Sequence, residues 1–114
     1  MKMLDTLNDF ETMWLADPKG AALDGMRKSD KTFLIYFTAT WCGYCRNIDL
    51  SKVDTAANAK GLTLWKCEHT INKTTAGYCG VTGFPTFMAF RPKKVVDQFQ
   101  GSNTEEICKW IESL

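Results

Sequence analysis

The sequence predicts an α/β fold, a mixed central β-sheet flanked by helices on both faces. Three observations carry that expectation. Phe33-Leu34-Ile35-Tyr36-Phe37 is an unbroken apolar run of strand formers, the pattern of a central strand buried on both sides. Strand-like and helix-like segments alternate in the order β-α-β-α-β, then α-β-β-α. The last two strands are separated only by Arg91-Pro92-Lys93, a tight link that implies an antiparallel hairpin.

The elements follow in chain order. Residues 1–4 suit a short edge strand. Thr6 with Asp9 resembles a capping box and opens a helix to about Leu15, with Phe10, Met13 and Trp14 as apolar contacts. Asp17-Pro18-Lys19-Gly20 breaks that helix, and residues 21–27 suit another turn or two. After the apolar strand, residues 43–59 read as one helix that buries Ile48, Val53 and Ala56 and is closed by Gly61. Residues 62–67 read as a second long strand and 72–78 as a short helix. Residues 86–90 and 94–99 form the hairpin. Ser102 with Glu105 makes a second capping box for a last helix to Leu114, with Ile107, Trp110, Ile111 and Leu114 as its buried stripe.

A chain of 114 residues, 45% of them hydrophobic, builds one core, so a single domain over 1–114 is expected. Charged residues make up 24% and the net charge is +1, which points to neither a nucleic-acid nor a membrane partner. No apolar run approaches the roughly 18 residues of a membrane span. Met1-Lys2-Met3-Leu4-Asp5 meets an acid before any apolar stretch, unlike a signal peptide, and a cytoplasmic protein is expected. The five cysteines are an odd set for a disulfide scaffold and read as one reactive pair plus separate thiols.

That pair is Cys42 and Cys45, placed where the buried strand gives way to a helix. At spacing i, i+3 on a helix, Cβ atoms lie roughly 5–6 Å apart, within small adjustments of bonding range. A helix N-terminus offers unpaired N–H groups and partial positive charge, which favour thiolate over thiol, and the thiolate is the nucleophile. Cys42 is therefore expected to attack a substrate disulfide, and Cys45, one turn deeper, to resolve the mixed disulfide. Arg46 adds positive charge beside them. The competing reading is half of a zinc site, with Cys67, His69 and Cys79 as the other half, but those three lack a second CxxC-like spacing.

The segment Phe37-Thr38-Ala39-Thr40-Trp41-Cys42-Gly43-Tyr44-Cys45-Arg46 resembles the thioredoxin active site, including the Trp before the first Cys. Gly83-Phe84-Pro85-Thr86 resembles that family's loop before a cis-proline, and the helix after Gly101 also fits. The resemblance spans essentially the whole chain and implies the thioredoxin fold. It implies Cys42 as nucleophile, Cys45 as resolving thiol, and Pro85 as a cis-proline facing them. Trp41, Gly43, Tyr44, Phe84 and Gly101 are then the docking rim for an extended substrate strand. The implied redox group is the Cys42–Cys45 disulfide itself, with no bound cofactor and no metal. The implied partners are client proteins with disulfides and a thioredoxin-reductase-type electron donor, with the protein as a monomer.

Three positions depart from the family pattern. Gly-Tyr, as in bacterial disulfide isomerases, stands where thioredoxins have Gly-Pro between the cysteines. Tyr36 falls at the family's buried acid, while the accompanying lysine survives as Lys66. Leu50 replaces a helix proline, so less kinking is expected. A phenol with a pKa near ~10 is a poor proton acceptor at neutral pH, which leaves Cys45 without that acid. Potentials on this fold span roughly −270 to −120 mV, so a reductase is the first reading and an oxidase or isomerase the second. A binding module with incidental thiols is the third. Elsewhere, Cys67 and Cys108 read as buried fillers, and Cys79 as a packed side chain or an exposed regulatory thiol. His69 reads as a solvated loop residue, and Asp49 as a solvated helix residue or a proton relay.

Overall fold

The computed structural model describes residues 1–14 and 32–114, so the expected helix end, break and turns over 15–27 lie outside the described residues. Among the described residues ten elements form: β1 Lys2–Met3, α1 Leu7–Trp14, β2 Phe33–Thr38, a 3-10 helix Tyr44–Asn47, α2 Leu50–Ala59, β3 Thr63–Glu68, α3 His69–Tyr78, β4 Thr86–Arg91, β5 Lys94–Gln100 and α4 Thr104–Glu112. The five strands make one sheet in the order β1-β3-β2-β4-β5. β3 runs parallel to β1 and β2, and β4 runs antiparallel to β2 and β5, so the sheet is mixed.

The apolar run becomes the central strand, and every residue of β2 is buried. Side chains alternate across a strand, which divides the run between two cores. Leu34 and Tyr36 pack with Val53 and Ala57 of α2 and with Ile107 and Ile111 of α4. Phe33, Ile35 and Phe37 pack on the other face with Phe10 of α1 and Ala76 of α3. Phe10 anchors that second core, with its ring centroid 5.3 Å from Phe90 and 5.8 Å from Trp14.

The helix expected over 43–59 is divided. A 3-10 turn carries Cys45, the chain is extended at Ile48 (φ −85°, ψ 127°), and α2 begins only at Leu50. The cause is Asp49. Its Oδ1 accepts from the Lys52 amide at 3.3 Å and the Ser51 hydroxyl at 2.8 Å, a helix N-cap arrangement. Its own amide donates to Thr104 Oγ1 at 3.0 Å, which fixes the break against the start of α4. Loss of the proline at Leu50 therefore does not give a straighter helix; a polar cap interrupts it one residue earlier.

Two other boundaries also move. Asn103, not Ser102, caps α4, accepting from the Glu106 amide at 3.0 Å. Asn103 and Glu106 repeat the spacing of Ser102 and Glu105 one residue later, and asparagine is as good a cap. β3 runs on to Glu68, and α3 starts at once at His69, capped by the Glu68 carboxylate on the Thr70 amide. Asn72 (φ −139°, ψ 61°) interrupts α3. It re-caps the helix through Thr75 and donates to the Leu4 carbonyl at 3.1 Å.

Candidate active site

β2 delivers the cysteines to one end of the sheet. Past Thr38 the chain turns, with the Cys42 amide donating to the Ala39 carbonyl at 3.0 Å, and the 3-10 helix follows. Cys42 and Cys45 are joined as a disulfide with Cα atoms 5.4 Å apart. Their burial is alike, 6% and 9% exposed, so Cys45 is not the deeper residue that its place in the sequence implies. The asymmetry lies in hydrogen bonding: the Cys45 amide points at Cys42 Sγ from 3.3 Å. An N–H aimed at a sulfur stabilises negative charge on it, which suits Cys42 to be the attacking thiolate.

β2 and β4 set the opposite wall. Phe37 pairs with Thr86, so Pro85 lies beyond the same end of the sheet as the cysteine turn. The Phe84–Pro85 peptide is cis. Gly101 donates its amide to the Pro85 carbonyl at 3.3 Å, and the Thr86 hydroxyl donates to the Gly83 carbonyl at 2.7 Å. A Cβ at Gly83 would sit 2.6 Å from Gln100 Nε2, the end of a flexible side chain, so a larger residue there requires that side chain to shift. Gly43 is exposed, with open space around a Cβ, so glycine there is not dictated by crowding.

The rim is aromatic. Trp41 is 65% and Tyr44 70% exposed, unusual for such large rings and suited to docking a partner. Trp41 stands edge-on to Phe84, with centroids 5.4 Å apart. His69 joins them, 5.2 Å from Phe84 and 6.1 Å from Trp41. The expectation of a solvated loop histidine is corrected here: His69 is half-buried at the start of α3, and its Nδ1 is buried without a partner among the described residues. No local motif announces this placement, because it depends on β3 ending beside the cysteine turn.

Behind the disulfide lies a cleft of about 200 Å³ whose walls include Tyr36, Cys42, Cys45, Arg46, Lys66 and Glu68. Tyr36 and Lys66 are register partners on neighbouring parallel strands, as are Thr38 and Glu68. The Tyr36 ring is 1% exposed, stacks on Phe87 at 4.8 Å and donates its hydroxyl to Thr38 Oγ1 at 3.1 Å. Burial pushes its pKa up, partly countered by the Thr38 bond, so it is no acceptor at neutral pH. Glu68 is the residue that sequence reasoning missed. It is 7% exposed; one oxygen accepts from the Thr70 amide at 2.9 Å and from the Thr70 hydroxyl. Its other oxygen is buried and unpartnered among the described residues. Burial works against the charge, but hydrogen bonding, led by the Thr70 hydroxyl and amide, prevails and holds the carboxyl below its usual range.

The remaining candidates lie apart. Cys67 is in the core across the sheet from the disulfide, and half-buried Cys79 packs against that same core, which separates the two halves of the zinc alternative. Burial pushes both thiols up to about 12, which disfavours the thiolate at neutral pH and favours the packed reading of Cys79 over the regulatory one. Cys108 is half-buried rather than a core filler. Asp49 is exposed and occupied with its cap.

The thioredoxin family model matches residues 23–113. Thioredoxin of Gallus gallus is 28% identical over 114 residues, covering 100% of this chain and 98% of its own length. Protein disulfide-isomerase A6 of Mesocricetus auratus is 30% identical over 81 residues, 67% of this chain. The chain spans only 18% of that isomerase's length. The X-ray structure of Fasciola hepatica thioredoxin superposes with a TM-score of 0.75 at 30% identity, covering 99% of this chain and 98% of that one.

Proposed function

Because the chain belongs to the thioredoxin family, and so is a dithiol–disulfide oxidoreductase, we propose that it works as a single-domain, monomeric reductase of client protein disulfides. Cys42 attacks the client, Cys45 releases it, and a thioredoxin-reductase-type donor restores the dithiol. Trp41, Tyr44 and Phe84 hold the client strand beside Pro85 and Gly101. The observation that carries the chemistry is the Cys45 amide on Cys42 Sγ at the end of the central strand.

The direction of the reaction is supported by the end-to-end match to a thioredoxin, against a match to a small part of an isomerase. The same reading puts the protein in the cytoplasm. Three unpaired cysteines suit a reducing compartment better than an oxidising one. Gly43-Tyr44 between the cysteines is the feature that favours an isomerase instead.

Equilibration in glutathione redox buffers separates the two. A reductase is expected to give a potential near about −270 mV. A value near about −180 mV or above identifies an isomerase or oxidant and overturns the reductase reading.

A further inference from the structure

We propose that Glu68 accepts the Cys45 proton when Cys45 resolves the mixed disulfide. The assignment rests on the proposed exchange chemistry and adds the group that moves its proton.

The argument starts from a need. With Cys42 bonded to a client, Cys45 must lose a proton in a site where it is 9% exposed, and a bare thiolate is unfavourable there. Tyr36 lines the same cleft but has no lone charge to offer at neutral pH. Asp49 is exposed, spends its carboxylate on Ser51 and Lys52, and does not line the cleft. Glu68 is the carboxylate that does. Its Oε1 is buried without a partner among the described residues, which is costly for a polar atom unless the site uses it. Thr70 holds the other oxygen and so fixes the group. Glu68 reaches this position because β3 extends one residue beyond the apolar segment, placing it on the Thr38 register, on the same face as Tyr36 and Lys66.

The step balances. The Cys45 proton passes to the Glu68 carboxylate, directly or through one water. Cys45 sulfur attacks Cys42 sulfur, the Cys42–Cys45 bond forms and the Cys42–client bond breaks. The client leaves as a thiolate and is protonated from solvent or from Glu68. The protein dithiol is oxidised by two electrons and the client disulfide is reduced.

The charged and titratable groups around Glu68 are Tyr36 of β2, Lys66 and Cys67 of β3, Arg46 and Cys45 of the 3-10 helix, Cys42 before it, and His69 of α3. An acceptor held ionised keeps resolution nearly independent of pH, whereas uncatalysed ionisation of a thiol gains tenfold per pH unit.

An aromatic disulfide that releases a coloured thiolate resolves the two steps in a stopped-flow instrument. The first release reports attack by Cys42 and the second reports resolution by Cys45. In the wild type the second phase is expected to change less than about threefold from pH 6 to 7.5. In Glu68→Gln, which keeps an acceptor for the Thr70 amide, it is expected to fall by about tenfold or more at pH 6 and to rise steeply with pH. Its first phase stays within about threefold of wild type. Both proteins keep His69, so the difference between their rates, not the residual rate of Glu68→Gln, reports the contribution of Glu68. An unchanged second phase in folded Glu68→Gln overturns the assignment alone. Absence of the first phase in the wild type removes the exchange chemistry and the assignment with it. If Glu68→Gln does not fold, the wild-type profile decides: a second phase rising tenfold per unit from pH 6 overturns the proposal.

Discussion

Replacing Cys42 by serine is expected to lower the rate of client disulfide reduction by on the order of a thousandfold or more. The reason is chemical. A serine hydroxyl is not ionised at neutral pH, and the N–H of Cys45 that stabilises charge on Cys42 Sγ from 3.3 Å cannot make it so. Two of the remaining thiols are poor substitutes: burial drives Cys67 and Cys79 up to about 12, and both lie across the sheet from the disulfide. Serine is nearly isosteric with cysteine, and among the described residues that amide is the one hydrogen-bond donor to Cys42 Sγ, so the reduced fold is expected to be retained. Insulin reduction followed by turbidity, with both proteins fully reduced at the start, makes the comparison. Activity within tenfold of wild type places the exchange chemistry on another residue or supports the binding-module reading.

The second large effect is on stability. Tyr36→Ala is expected to destabilise the protein by about 3–5 kcal/mol, because it deletes a large buried ring from the central strand and leaves a cavity. The ring is 1% exposed and stacked 18° from parallel on Phe87, so its removal forfeits a large packed contact. Tyr36→Phe keeps the ring and loses only the bond to Thr38 Oγ1, and is expected to cost no more than about 1.5 kcal/mol. Urea unfolding with unchanged slope measures both. A cost below about 1 kcal/mol for Tyr36→Ala contradicts the packing described.

The same residue links stability to alkaline pH. Its pKa is raised in the folded state, so the neutral phenol is the form that fits the core. The associated stability is complete below the ordinary tyrosine value of about 10 and is lost as pH rises through the folded value. Cys67 and Cys79 act in the same sense, from the ordinary thiol range up to about 12. Tyr36→Phe therefore removes part of the alkaline loss of stability and not all of it.

Much of this was legible in the chain. A five-residue apolar run rich in aromatic and β-branched residues suits a strand buried on both faces, and the sheet forms around it as β2. The Trp-Cys-Gly-Tyr-Cys segment and the Gly-Phe-Pro-Thr loop placed the site at one end of that strand. Misplaced features share a cause. Asp49 and Asn103 are caps whose competitors sit inside an apparently continuous helix or one residue away; the first is fixed by the distant Thr104 hydroxyl, and the second by a local Glu106 amide contact at the same spacing that Ser102 and Glu105 offer. Glu68 was missed, and His69 was read as a solvated loop residue, because their placement arises where β3 passes directly into α3 beside the cysteine turn. A carboxylate just past an apolar strand reads as a solvated end; only the parallel register with Thr38 turns it into the cleft.

The roles of the two cysteines are tested most directly by trapping. A Cys45→Ser protein keeps the attacking thiol and loses the resolving one, so it is expected to accumulate a covalent complex with a disulfide-bearing client. Peptide mapping of that complex is expected to find the client bonded to Cys42, with release by a small dithiol. A complex formed through Cys79 or Cys108, or no complex in a folded and reduced Cys45→Ser protein, contradicts the account.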